Sequence, residues 1–289
     1  MIINKIRLEE EYPTGGAFDN WPLPVCDLYL NSTSGENGYI LKQAEGLEPP
    51  ELNEVVEGFD PAGIPAILDV PEMRELVFKI GLNPAINQSH GDLRDNLYKF
   101  ISRTILVKFM YDSDVLAQVV GYIRRFEVVH FSNKPEIQIT IQCDTGQLSA
   151  PKALNIPLAS LNTTAPIINY EEGTAPTGLD LQFLVTANTA SFNIANHGRV
   201  RSLSSNPISN LFQVTYPFLI NDVVAIHTHP RSKHIHLTRS SVTYDIAGYL
   251  NAGAVWPIIY PGVNSFTWSM VSTWMSWSTA TYTPKFWGI

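Results

Sequence analysis

Only one stretch of this 289-residue chain repeats its apolar side chains at helical spacing. In HGDLRDNLYKFISR, residues 90–103, Leu93, Leu97, Phe100 and Ile101 fall at i, i+4, i+7 and i+8, and Ser89 or Asp92 can cap the start. The other patterned segments alternate with period two, or run apolar over short spans between turn clusters. That confines the chain to a mainly β fold in which a single amphipathic helix packs on a sheet. MRELVFKIGL, residues 73–82, is the clearest strand, with Leu76, Phe78 and Ile80 on one face and Glu75, Val77 and Lys79 on the other. ILVKFMYD, AQVVGYIRRFEVVHFS and EIQITIQCD then read as a meander over residues 104–144.

The texture changes at residues 145–178, where Pro, Thr, Ser and Asn mix without helical periodicity. This places an N-terminal β domain over residues 1–145, a linker and the start of a second domain over 146–178, and a C-terminal β-sandwich over 179–289. Beyond the linker, short strand-like runs separated by turn residues have sandwich spacing, with a second helix conceivable only around SSVTYDIAGYL, residues 240–250.

Charge narrows the function classes. The formal net charge is −8 and charged residues make up 16% of the chain, with no Lys/Arg run longer than two. The cationic footprint of a nucleic-acid or anionic-membrane binder is missing. Cys26 and Cys143 stand far apart, outside any Cys-x-x-Cys context, and read as free thiols. The acidic start, MIINKIRLEEEYP, lacks the apolar run of a secretory signal, and no window reaches 18 uninterrupted apolar residues, so folding in a reducing cytoplasm is expected.

The most conspicuous chemistry is IHTHPRSKHIHL, residues 226–237, which holds four of the seven histidines. As a hairpin turning near Arg231 and Ser232, it pairs His229 with His234 and His227 with His236, Ile226 with Leu237, and Thr228 with Ile235. All four imidazoles then gather on one face. His-x-His on a strand is a metal-ligand spacing suited to zinc, copper or nickel. A hairpin that buries one face must also put polar residues on the other, and no carboxylate lies close in sequence before Asp245. The commoner reading is therefore a solvated face that binds metal adventitiously. No nucleophile elbow, phosphate loop or zincin motif is present, so no enzyme and no cofactor are expected. Glu171 and Glu172 read as a solvated turn. Trp256, Tyr260, Phe266, Trp268, Trp274, Trp277 and Trp287 could line a sugar-binding face, but aromatics at such spacing more often form core or subunit interface.

NDVVAIHTHPRSKHIHL, AVWPIIYPGVNSFTWSM and the terminal TYTPKFWGI together resemble the pattern of distal tail proteins (Dit) of long-tailed, siphovirus-type bacteriophages. Asp222, Trp256, Pro261, Gly262, Asn264, Phe266, Gly288 and Ile289 occupy the matching places, and Gly46, Leu47, Pro49 and Pro50 match an early segment. Two departures are the histidine density and extra sequence at residues 48–72.

The resemblance implies a structural virion protein of the tail tip or baseplate, assembled in the host cytoplasm. Its N-terminal domain would form a hexameric ring, and its C-terminal domain would be a galectin-like sandwich whose last strand can return to the N-terminal domain. The implied partners are its own copies, the tail tube protein, the tail hub and receptor-binding proteins, with DNA passing unbound and no membrane contact. Two other classes are carried beside it: a carbohydrate-binding host-recognition module, and a metal-dependent hydrolase using His227, His229, His234 and His236.

Overall fold

The computed structural model describes residues 3–10, 25–30, 38–50, 52–59, 65–101, 103–128, 135–163, 165–196, 210–230, 232–268 and 274–289, with backbone alone at 52–59, 65–71 and 210. They form two compact units. The first comprises Met1–Leu52, Pro71–Pro151 and Phe286–Ile289, and the second Asn53–Val70 and Lys152–Lys285. The sequence region 48–72, set apart above as extra, contains a two-stranded sheet; residues 31–37, 51 and 60–64 and Arg231 lie outside the described residues.

In chain order the strands begin with β1 (Lys5–Glu10), β2 (Val25–Tyr29) and β3 (Gly38–Glu45), followed by the separate pair β4 (Leu52–Phe59) and β5 (Pro65–Pro71). Next come β6 (Glu75–Asn83), helix α1 (His90–Tyr98), β7 (Thr104–Tyr111), β8 (Asp114–Val128), β9 (Glu136–Cys143) and β10 (Leu148–Ser149). The expected meander β7–β8–β9 is present, and it is part of something the period-two pattern could not show. Strands β8, β7, β1, β2, β3, β6 and β9 pair in that order and β9 pairs back onto β8, closing a seven-stranded barrel.

Closure depends on β8, which is 15 residues long and serves two barrel neighbours besides pairing with β10. Its first half pairs with β7 and its second with β9, and the changeover falls at Gly121, opposite both Ile105 and Cys143. A Cβ there would stand 2.6 Å from the Gln142 carbonyl oxygen, so the corner admits no larger residue. Inside the barrel Leu76, Phe78 and Ile80 are fully buried, as their alternation requires.

Helix α1 starts where expected. Ser89 Oγ accepts from the Asp92 N–H at 3.1 Å while the Asp92 carboxylate accepts from the Ser89 N–H at 2.8 Å, a reciprocal cap. It ends at Tyr98 rather than at residue 103. From Lys99 to Ile101 the backbone N–H groups bond three residues back, so the winding tightens. At three residues per turn Phe100 stays in line with Leu97 and is buried, whereas Ile101 swings out and is 40% exposed.

The second unit continues with β11 (Leu154–Asn155), the four-residue helix α2 (Leu158–Leu161), β12 (Ile167–Tyr170), β13 (Thr177–Gly178), β14 (Asp180–Val185), β15 (Thr189–Asn196) and β16 (Asn210–Phe218). Strands β17 (Val223–His227), β18 (His234–Arg239), β19 (Val242–Asp245), β20 (Ile258–Ile259), β21 (Gly262–Trp268), β22 (Met275–Tyr282) and β23 (Lys285–Phe286) complete the chain. A six-stranded sheet, β11-β22-β14-β17-β18-β19, and a four-stranded sheet, β12-β21-β15-β16, share one core. Phe183 of the first meets Phe192 of the second edge to face, 5.3 Å between ring centres. The stretch expected as a linker and the start of the second domain, 146–178, contains short strands and α2.

The segment 240–250, where a second helix was conceivable, is instead strand β19 followed by a 3-10 turn at Ala247–Tyr249. Ser240 and Ser241 both have positive φ, 49° and 66°, which is the backbone of a two-residue hairpin turn. Serine carries none of the Gly or Asn signal by which such turns are read.

Candidate functional site

The histidine hairpin forms, with its register two residues away from the expected one. Ile226 faces Ile235, His227 faces His234, Ala225 faces His236 and Val224 faces Leu237. The two-faced character survives the shift: Val224, Ile226, Ile235 and Leu237 are completely buried, while His227, His234 and His236 lie on the outer face. The ring centroids of His227 and His234 are 4.0 Å apart in a stacked arrangement, and those of His234 and His236 are 4.4 Å apart.

The carboxylate that seemed missing comes from another strand. Asp180 opens β14, directly opposite His227 on one side and Thr281 on the other. Its Oδ1 lies 2.6 Å from His227 Nδ1 and its Oδ2 3.1 Å from His229 Nε2. Burial pushes this carboxyl up, but the hydrogen bonds and charge of His229 and His227 outweigh burial and hold it below the ordinary aspartate value. Sequence reading missed Asp180 because 47 residues separate it from His227 and only sheet register joins them. Among the described residues, no three His, Cys, Asp or Glu side chains converge as they stand on a point that could hold a metal ion.

At the other end of the same hairpin, Asp222 is 1% exposed and grips Arg239. Arg239 Nε donates to Oδ1 at 2.8 Å and Nη2 to Oδ2 at 2.6 Å, while the Leu219 N–H donates to Oδ2 at 2.8 Å. This carboxylate therefore anchors the turn that enters β17.

Pro261, Gly262 and Asn264 share one turn, and Trp256 makes its ring contacts elsewhere. Gly262 has φ +101°, which only glycine adopts freely. Asn264 is 1% exposed and fastens the turn: its Oδ1 accepts from the Tyr260 N–H at 2.8 Å, and its Nδ2 donates to the Tyr260 and Gly262 carbonyls at 2.7 and 3.0 Å. Trp256 packs on Phe212 with 5.0 Å between ring centres, beneath Lys233 Nζ at 5.9 Å. Of the remaining aromatics, Phe266, Trp268, Trp274 and Trp277 belong to the sandwich core and offer no open sugar platform. Glu172, in the acidic turn, accepts from the Tyr282 hydroxyl at 2.7 Å.

One further centre went unread. Arg74, 3% exposed, donates to four backbone carbonyls: Gly46, Glu48 at 2.9 Å, Gly146 at 3.1 Å and Trp287. Beside it the Ile289 N–H donates to the Leu47 carbonyl at 3.3 Å. Gly46–Leu47 and Gly288–Ile289, which carried the family resemblance from opposite ends of the chain, thus meet at one guanidinium in the first unit. Cys26 and Cys143 are buried free thiols, with Cys143 pushed up to about 12 by burial.

No family model and no curated relative matches the chain by sequence. Among solved structures, the Dit protein gp 19.1 of phage SPP1, described as a paradigm of the hub adsorption apparatus in phages that infect Gram-positive bacteria, superposes with a TM-score of 0.56 over 86% of this chain and 94% of its own, at 11% identity. The chain has the fold of a phage distal tail protein. That match runs through both units. The phage p2 baseplate in its activated conformation covers 98% of each chain at 8% identity, with a TM-score of 0.42 that adds no weight. Among the described residues, no helix of the Dit-like fold is long and apolar enough to cross a membrane.

Proposed function

We propose that this chain is a structural component of a phage tail tip. In this reading the barrel unit assembles with its own copies into a hexameric ring between tail tube and baseplate hub, and the galectin-like sandwich faces outward to carry host-recognition components. The observation that carries the reading is the end-to-end fold match to SPP1 Dit, which extends over 86% of this chain and 94% of the other.

Physical chemistry supports it in two ways. A ring through which DNA passes must not hold it, and a chain of net charge −8 with few Lys and Arg offers little counterion release on phosphate contact. Burial of the core tryptophans and of Cys26 and Cys143 removes the groups that would most readily have served a sugar site or thiol chemistry. Assembly would take place in the host cytoplasm, with the tail tube and hub proteins as neighbours.

Immunogold labelling of intact virions tests this directly. Label confined to the junction of tail tube and tip is the expected result. Label on the capsid, or none on purified particles, would remove the proposal.

A further inference from the structure

The outer face of the sandwich unit carries chemistry that a tail-ring role does not use. Sheet register lines up Thr281, Asp180, His227 and His234 across four strands, with His236 two residues further along β18 and Asp245 opposite it. Among the described residues, the charged register neighbours of this column are Asp180 from β14 and Asp245 from β19, while Lys233 Nζ lies over the Trp256 ring. Asp245 Oδ1 accepts from the Ala247 N–H at 2.9 Å.

The hydrogen-bond partners fix the tautomers. His227 Nδ1 meets Asp180 Oδ1 at 2.6 Å, and His234 Nδ1 meets the Ser232 carbonyl at 2.8 Å. A carboxylate and a peptide carbonyl have no proton to give, so both Nδ1 atoms must donate. A neutral imidazole carries one N–H, and Nε2 of each ring is left with a bare lone pair. A metal-binding histidine is held in this same way, one nitrogen tied to a carboxylate or carbonyl and the other presented to the ion.

We infer that His227, His234 and His236 form a site for one divalent transition-metal ion, zinc foremost, with Asp180 as the positioning group of His227. Three imidazole nitrogens with water in a fourth place suit zinc, and also copper(II) or nickel(II). The planes of His227 and His234 are 26° apart, so their lone pairs run side by side rather than converging. Coordination therefore requires the partly exposed His234 ring to turn off the Ser232 carbonyl and His236 to turn in beside it, while Asp180 keeps His227 in place. Both oxygens of Asp180 are taken by imidazoles, so no free general base stands beside the ion, and its role is to clip β17 to β18 rather than to hydrolyse.

The test is calorimetric titration of zinc chloride into the metal-stripped full chain at about pH 7.5. One ion per chain is expected, with Kd at or below about 10 µM. Asp180→Asn, which replaces none of the three ligands, should weaken binding roughly 10- to 100-fold, and His234→Ala should abolish it. Kd above about 100 µM, several ions per chain, or an affinity indifferent to Asp180→Asn would mean an adventitious ion only and overturn the site. Should either variant fail to fold by circular dichroism, cobalt(II) added to the unmodified protein decides. The intense visible bands of a four-coordinate ion support the site, and the faint spectrum of a six-coordinate ion rejects it.

Discussion

The guanidinium of Arg74 donates to the backbone carbonyl of Trp287, 213 residues further along the chain, and this bond closes the first unit around its own C-terminus. With its other donors on Gly46, Glu48 and Gly146, the side chain satisfies four backbone carbonyls. Burial lowers its pKa, yet an arginine keeps its proton at any physiological pH. Arg74→Met fills the same volume and strands those carbonyls, and should cost about 3 to 5 kcal/mol. Thermal melting checks it; a loss under about 1 kcal/mol would show that water replaces the guanidinium.

Gly46 is tested more severely. Its φ is +80°, and a Cβ would sit 1.9 Å from the Glu75 carbonyl oxygen. Gly46→Ala should therefore cost at least about 3 kcal/mol, or leave the chain insoluble, because neither atom is the end of a flexible side chain. Soluble expression with an unchanged melting temperature contradicts the fold in this region.

The Asn264 turn gives a graded pair. Gly262→Val meets no neighbouring atom and pays only for its φ of +101°, about 1 to 3 kcal/mol. Asn264→Ala removes the partner of the Tyr260 N–H and of two carbonyls, about 2 to 4 kcal/mol. Chemical denaturation of both variants should rank them in that order.

Asp222 makes a prediction in pH. Burial pushes its carboxyl up, but the hydrogen bonds from Arg239 and the Leu219 N–H prevail and hold it below the ordinary value. A depressed folded pKa stabilises above the unfolded value, about 3.9, and that contribution disappears as pH falls through the folded value. Stability should be flat for this pair from neutral pH down to about 5 and decline below about 4. Arg239→Gln should lose about 2 to 3 kcal/mol at neutral pH, where the carboxylate is stranded, and progressively less in acid. An equal loss at pH 7 and in acid would mean that the ion pair is not the cause.

The two faces of the histidine hairpin should respond differently in metal-free protein. Ile226→Ala and Leu237→Ala empty fully buried positions and should each cost about 2 to 5 kcal/mol, whereas His236→Gln should stay within about 0.5. Comparable losses on both faces would show the burial pattern to be wrong.

What was legible in the sequence was what depends on local periodicity. Alternation in MRELVFKIGL put Leu76, Phe78 and Ile80 inside, and Ser89 with Asp92 marked the start of α1. The end of α1 was misjudged because a tightening of the last turn leaves no trace in residue types. Register was off by two because residue alternation repeats every two positions, so a shift of two keeps every side chain on its face. Asp180 beside His227, and Arg74 beside Trp287, are meetings of distant strands that no window of sequence contains. The resemblance motifs were read as separate, and their convergence at Arg74 supplies the physical reason for part of them.

The central claim is that the chain builds a ring, and native mass spectrometry of the purified full-length protein tests it most directly. The account predicts a dominant species of six copies that survives mild collisional activation. A monomer that persists up to the solubility limit of the protein would contradict it.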